Sequence, residues 1–209
     1  KAAILAISYL RSVQPDISVD IKPVYYDDNL ALKLDESAIK TLELVESDYE
    51  GGYSLFNVLD LSKTSMGSRL IKKWILNPLC DFYLINNRLN AVEHFYKNEE
   101  AAHKLWSVIE KIPDIERACG RIINLSITPA DAVGIKNAIK NIDAIKKILL
   151  EGDFIAVIPE AVRKIGSLDG LKKLGEVIEK AIDENSSLKV GEGDLIRKGY
   201  NADYDELKT

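Results

Sequence analysis

The sequence predicts a mainly α-helical fold: a multi-helix core bundle with one small β-hairpin near the N-terminus. Three observations lead there. Leu, Ile, Ala, Lys and Glu dominate the chain, a composition that favours helices. At least six segments repeat apolar residues at helical spacing, against one segment that alternates. Only 12 Gly and 6 Pro interrupt 209 residues, too few for a loop-rich all-β protein. A hydrophobic fraction of 46% with 29% charged residues suits a folded chain with a real core.

Residues 1–14 read as a helix ending before Pro15. Val19, Ile21, Val24 and Tyr25 precede Asp27-Asp28-Asn29, and Leu30, Leu32 and Leu34 alternate after it. Alternation on both sides of an Asp-Asn turn predicts the hairpin, over about residues 19–35. Ser37 to Val45 follows as a short helix, broken by Gly51-Gly52. Ser54 is placed to cap a helix from Leu55 to Asp60. Thr64 is placed to cap the next, whose stripe is Met66, Leu70 and Trp74. Gly67 in its first turn costs about 1 kcal/mol relative to Ala, which suggests the close approach of another backbone. Full burial of Trp74 would make its truncation cost roughly 3–5 kcal/mol.

Asp81 opens a helix bearing Leu84, Ile85, Leu89, Val92, Phe95 and Tyr96. A further helix, from about Glu99 to Ile112, is anchored by Leu105, Trp106 and Ile109, and both tryptophans read as core. Asp114 starts another, with Ile115, Ala118, Ile122 and Leu125. Thr128-Pro129-Ala130-Asp131 combines a cap, a Pro at the first helical position and an acid at the third, and opens a helix to Leu150. Glu160 to Ile165 and Leu171 to Ile182 read as two more helices. Ser186 to Gly199 is irregular, with Val190 and Ile196 as short strand residues, and Tyr204 to Thr209 has helical composition.

Chemistry-bearing motifs are sparse. GxxxxGK[ST] and GxSxG are both absent from the sequence, which leaves no phosphate cradle and no nucleophile elbow. Cys80 and Cys119 do not make a disulfide framework. They stand apart from His94 and His103, so no metal site is expected. Net charge is −5, unevenly spread: from Asp27 to Asp60 nine acids face only Lys33 and Lys40. Lys63, Arg69, Lys72 and Lys73 meet no acid in sequence and form a candidate phosphate-facing patch, or else a solvated helix face. Asp114, Glu116, Arg117 and Arg121 are the densest polar group, readable as an anion grip or, more simply, as a structural ion-pair network.

The order of residues in SLFNVLDLSKTSMGSRLIKKWILNPL, Ser54 to Leu79, resembles the core-domain signature of the MutS family of DNA mismatch-repair ATPases. Asp60, Thr64, Gly67, Arg69, Trp74 and Pro78 match it. Ile85, Arg88 and Val92 fit the following helix, and Asp114, Glu116, Arg117 and Arg121 the next block. Gly199-Tyr200 and Asp205-Glu206-Leu207 resemble the start of the family's lever helices, with Tyr204 where Leu is usual, and Thr41 stands where Asn is common. The resemblance implies three parts: residues 1–14 as the end of a connector-domain helix, 15–203 as the helical core domain, and 204–209 as the start of a lever helix. With Met66 as the only Met, the chain is expected to be a piece of a longer polypeptide.

What the resemblance implies is a scaffold coupling mismatched-DNA binding by clamp and reader domains to a distant ATPase domain. The alternative is a core from a branch acting in recombination without mismatch reading. None of Phe56, Phe82, Phe95 and Phe154 is followed by Glu at the second position, so no wedge for a mismatch is expected in these residues. No catalytic, cofactor or metal residue is expected here; ATP and magnesium belong to the implied parent protein. The same resemblance implies mismatched duplex DNA as a partner through the parent, a dimer, downstream repair factors and no membrane. It places the parent in the cytoplasm near the nucleoid of a prokaryote, or in a eukaryotic nucleus.

Overall fold

The computed structural model describes residues 2–13, 30–151, 158, 164, 171–187 and 194–207. The chain divides into two compact units, residues 1–30 and 31–209. The first contains α1, Ala2–Val13.

In the second unit the helices are α2 Glu36–Thr41, α3 Leu55–Leu59, α4 Ser65–Leu76, α5 Phe82–Lys97, α6 Glu99–Ile109, α7 Ile115–Ile123, α8 Pro129–Glu151, α9 Leu171–Ala181 and α10 Ala202–Leu207. Their starts follow from short polar side chains that accept from orphan backbone N–H groups. Ser54 accepts from Asn57, Thr64 from Gly67, Asp81 from Leu84 and Asp114 from Arg117. Thr128 and Asp131 form a reciprocal box: Asp131 N–H donates to Thr128 Oγ1 at 3.2 Å, and Thr128 N–H to Asp131 Oδ2 at 3.0 Å.

Two helices stop in a way the sequence conceals. α2 ends at Thr41, short of Val45, because Glu43 turns left-handed at φ 47°. Glu43 N–H then donates to Lys40 O, and Leu44 N–H to Ile39 O, the paired bonds of a Schellman motif. α7 stops likewise on Leu125, φ 52°, with Leu125 N–H on Ile122 O and Ser126 N–H on Arg121 O. In both, a bulky residue takes the position usually given to Gly.

α8 organises the unit, packing against α6, α7 and α9. The core centres on Leu105 of α6 and Leu149 of α8, surrounded by Phe95, Ala101, Ile109, Ile145, Ile148 and Ile158. Near the other end of α8, a Cβ on Gly134 would come within 3.1 Å of Pro113 Cγ, so a side chain there would push α8 away from the start of α7.

Most of the expected hairpin lies outside the described residues, and its described end does something else. Ala31 forms an isolated antiparallel bridge with Leu79, and Leu32 N–H donates to Pro78 O at 2.8 Å. The alternating leucines thus lead a short extended segment to the end of α4. A second isolated bridge joins Ile182 to Ile196, in line with the expected strand character of Ile196. Val190 and the helix expected over 160–165, apart from Lys164, lie outside the described residues. Neither tryptophan is core: Trp74 is 43% exposed and Trp106 46%. Among the described residues, no helix is long and apolar enough to cross a membrane.

Candidate functional site

The densest polar geometry joins α4, α7 and α8. Arg69 lies on α4, one turn after the Thr64 cap. Its Nη1 and Nη2 donate to Asp114 Oδ2 and Oδ1 at 2.8 and 2.7 Å, a two-pronged pair with fixed geometry. Nη2 and Nε also donate to Glu116 Oε2, at 2.9 and 3.3 Å. Asp114 meanwhile caps α7 through Arg117 N–H at 3.1 Å and receives Arg117 Nε at 3.4 Å. One carboxylate therefore serves as helix cap and inter-helix clasp together.

One turn further along α7, Arg121 donates through Nε and Nη2 to Asp131 Oδ2 and Oδ1, at 2.7 and 2.5 Å. Asp131 is the third residue of α8 and already completes the box with Thr128. The left-handed turn at Leu125 lies between the two partners, ending α7 ahead of α8. The Arg69 bonds, helped by the Arg117 contacts and opposed by partial burial, hold the Asp114 carboxyl at about 2, down from 3.8. Arg121, then Thr128, holds Asp131 well below the ordinary carboxylate range. Both guanidiniums are pushed up in turn by the bonds they donate.

The residues of the candidate phosphate-facing patch do not act as one group. Arg69 is committed to Asp114 and Glu116. Lys63 Nζ lies 5.3 Å from the Trp106 ring centre, and Lys72 Nζ 5.9 Å from that of Phe56. Lys73 is exposed on α4. Asp60 receives Ser68 Oγ at 2.5 Å and Ser62 N–H at 3.2 Å, closing the turn into α4. Gly67 faces the side chains of Ser62 and Thr64, with 3.2 Å left between an added Cβ and Thr64 Oγ1. The crowding therefore comes from its own cap, not from another backbone. Pro78 supplies the carbonyl that holds Leu32. Trp74 is covered on one side by the Arg88 guanidinium, 3.9 Å from the ring centre.

Sequence reading did not find Asp131 as the partner of Arg121. Nor did it find Lys136, a buried lysine on α8 that is paired with Glu184. The cue for the first was the capping box; nothing local signals the second. Among the described residues no group of three or more His, Cys, Asp or Glu is placed to hold a metal ion.

Residues 37–208 match the family model described as MutS domain III. The chain belongs to the MutS domain III family. Relatives that cover nearly all of it agree. The DNA mismatch repair protein MutS of Caldanaerobacter subterraneus subsp. tengcongensis is 37% identical over 205 residues, covering 97% of the chain and 23% of that protein. The protein of the same name from Methanosarcina barkeri is 33% identical over 185 residues, 88% of the chain and 21% of the relative. The one from Pelotomaculum thermopropionicum is 32% identical over 210 residues, 99% and 24%. This MutS domain III chain thus spans about a quarter of the length of these curated relatives. The matched region contains the whole Arg69–Asp114 and Arg121–Asp131 network.

Proposed function

We propose that residues 31–209 serve as a rigid coupling element in a MutS-type DNA mismatch-repair protein, relaying DNA engagement in one part of the polypeptide to nucleotide turnover in another. The observation that carries this reading is the pair of two-pronged Arg–carboxylate clasps that tie α4, α7 and α8 into one body. Transmission needs elements that move together, and exposed single ion pairs do not supply that. Bidentate pairs anchored on helix caps do, because each carboxylate is fixed twice.

The ATPase, its magnesium and the mismatch reader belong to other parts of such a protein, as do the dimer contacts and the surfaces for downstream repair factors. Cellular location follows the parent: near the nucleoid in a prokaryote, in the nucleus of a eukaryote. The relatives' names favour mismatch repair over the recombination reading, which no observation here supports.

The test uses a full-length family protein carrying these residues. Asp114→Asn and Asp131→Asn together should leave mismatch binding and basal ATP hydrolysis within about threefold while the mismatch-dependent change in hydrolysis is lost, since coupling is a free energy separate from either affinity. Intact coupling in a folded double variant would defeat the proposal.

A further inference from the structure

α5 carries apolar residues on two faces. One face sends Phe95 into the Leu105–Leu149 core. The other presents Phe82, Ile85, Leu89, Val92 and Tyr96, spaced 3-4-3-4 over fifteen residues. Four of the five are open, with Phe82 81% exposed, Leu89 57%, Val92 65% and Tyr96 79%. Isolated exposed apolar residues need no explanation, but a continuous stripe along a helix does. A 3-4-3-4 spacing is the seam of a left-handed helix pair, because it keeps apolar knobs in register with a second helix and with nothing else so regularly.

The charges beside the stripe narrow the occupant. Asp81 is engaged as the cap of α5. Glu93 is bonded to Lys97 on its own helix. Arg88 is different. Its guanidinium carbon lies 3.9 Å from the centre of the Trp74 ring, and no carboxylate among the described residues pairs with it. Burial alone pushes its pKa down, as for a cation with no charged partner. A guanidinium carries five N–H donors in a planar fork, so its contact with one ring leaves donors for a carboxylate. With Phe82, Leu89 and Tyr96 at the first heptad position, Arg88 falls at the last, where charges select partners across a helix pair.

We propose that the outward stripe of α5, flanked by Arg88 on Trp74, is a docking face for an amphipathic α-helix that brings a carboxylate to Arg88. The probes are two synthetic amphipathic helical peptides with Leu at the seam positions. One carries Glu, the other Lys, at the positions flanking the seam. Binding to the 209-residue chain is read by fluorescence anisotropy. The Glu peptide should bind roughly tenfold more tightly than the Lys peptide, since charge pairing across an interface discriminates partners. Arg88→Gln should equalise the two, and Val92→Glu should abolish both while far-UV circular dichroism is unchanged. Leu89→Lys is the second seam variant should Val92→Glu fail to fold. Equal affinities in the native chain, or no binding at about 100 µM, far weaker than a useful helix–groove contact, would overturn the proposal. So would self-association of the chain by sedimentation that Val92→Glu abolishes, because the occupant would then be a second copy.

Discussion

Removing Glu184 and removing Lys136 should have unequal consequences, although they are partners in one ion pair. The Lys136 side chain is 4% exposed and that of Glu184 is 36% exposed. Deleting the acid strands a buried ammonium without its bonded partner, a loss of roughly 3–5 kcal/mol when both partners are fully buried. Here two facts reduce it. Glu184 already keeps part of its hydration, and Glu179 also feels the charge of Lys136, though its own bond is to Lys140 at 2.9 Å. Glu184→Ala is therefore expected to cost about 2–3 kcal/mol. At 2–4 °C per kcal/mol for a domain of this size, the melting temperature should fall by about 4–12 °C. Lys136→Met removes the buried charge and keeps the volume, leaving an acid that water can reach. It should change stability by less than about 1 kcal/mol, in either direction. Urea unfolding followed by far-UV circular dichroism measures both, and unchanged slopes would show that only stability has moved. A cost for Lys136→Met equal to or above that of Glu184→Ala would refute the reasoning, because the buried charge would then not be the liability.

Acid should loosen the α4–α7–α8 body first. The Asp114 carboxyl sits at about 2 against 3.8, and Asp131 is also depressed. Folded values below the unfolded ones mean that the stabilisation is complete above pH 4 and drains away as pH falls towards 2. Circular dichroism across that window should show a drop that Asp114→Asn makes shallower. Trp74→Ala should cost only about 1–2 kcal/mol, not the value for a buried ring, because nearly half of Trp74 is open and the Arg88 stack is worth about 0.5–1 kcal/mol; chemical denaturation decides between the two ranges. Duplex DNA should bind the isolated chain weakly and without mismatch preference. With Arg69 committed to carboxylates, Lys63, Lys72 and Lys73 allow a salt slope of about −2.7 at most. Nanomolar affinity, or a preference for the mismatched duplex, in titrations at two salt concentrations would contradict this.

Helix starts were legible because capping is local. Ser54, Thr64, Asp81, Asp114 and Thr128 each act on a backbone group three residues away, so one short window contains the whole interaction. The helix ends at Glu43 and Leu125 were not legible, since neither residue type advertises a left-handed turn. Partners distant in sequence were hidden for a related reason. Arg69 reads as part of a free cationic run until the fold brings Asp114, 45 residues on, against it. The tryptophans misled because a stripe at helical spacing marks an apolar face without saying whether that face is covered. The family resemblance reached further than either kind of pattern, since its order of residues spans elements that no local window joins.

The length of α8 turns a small fixing at one end into a large one at the other. Its 23 residues make a rod of about 35 Å at 1.5 Å per residue. Arg121 grips it at its third residue, Asp131, whereas Leu149 sits at the far end. Leu149 lies about 27 Å along the axis from Asp131, so a tilt of about 5° at the gripped end would displace it by roughly 2 Å, enough to disturb its seat against Leu105 in a close-packed core. Angular precision at the Arg121–Asp131 clasp is thus what sets the registry of the α6–α8 core two dozen ångströms or more away. A substitution that merely lengthened that clasp would be felt as looser packing at the opposite end of the helix before it was felt locally.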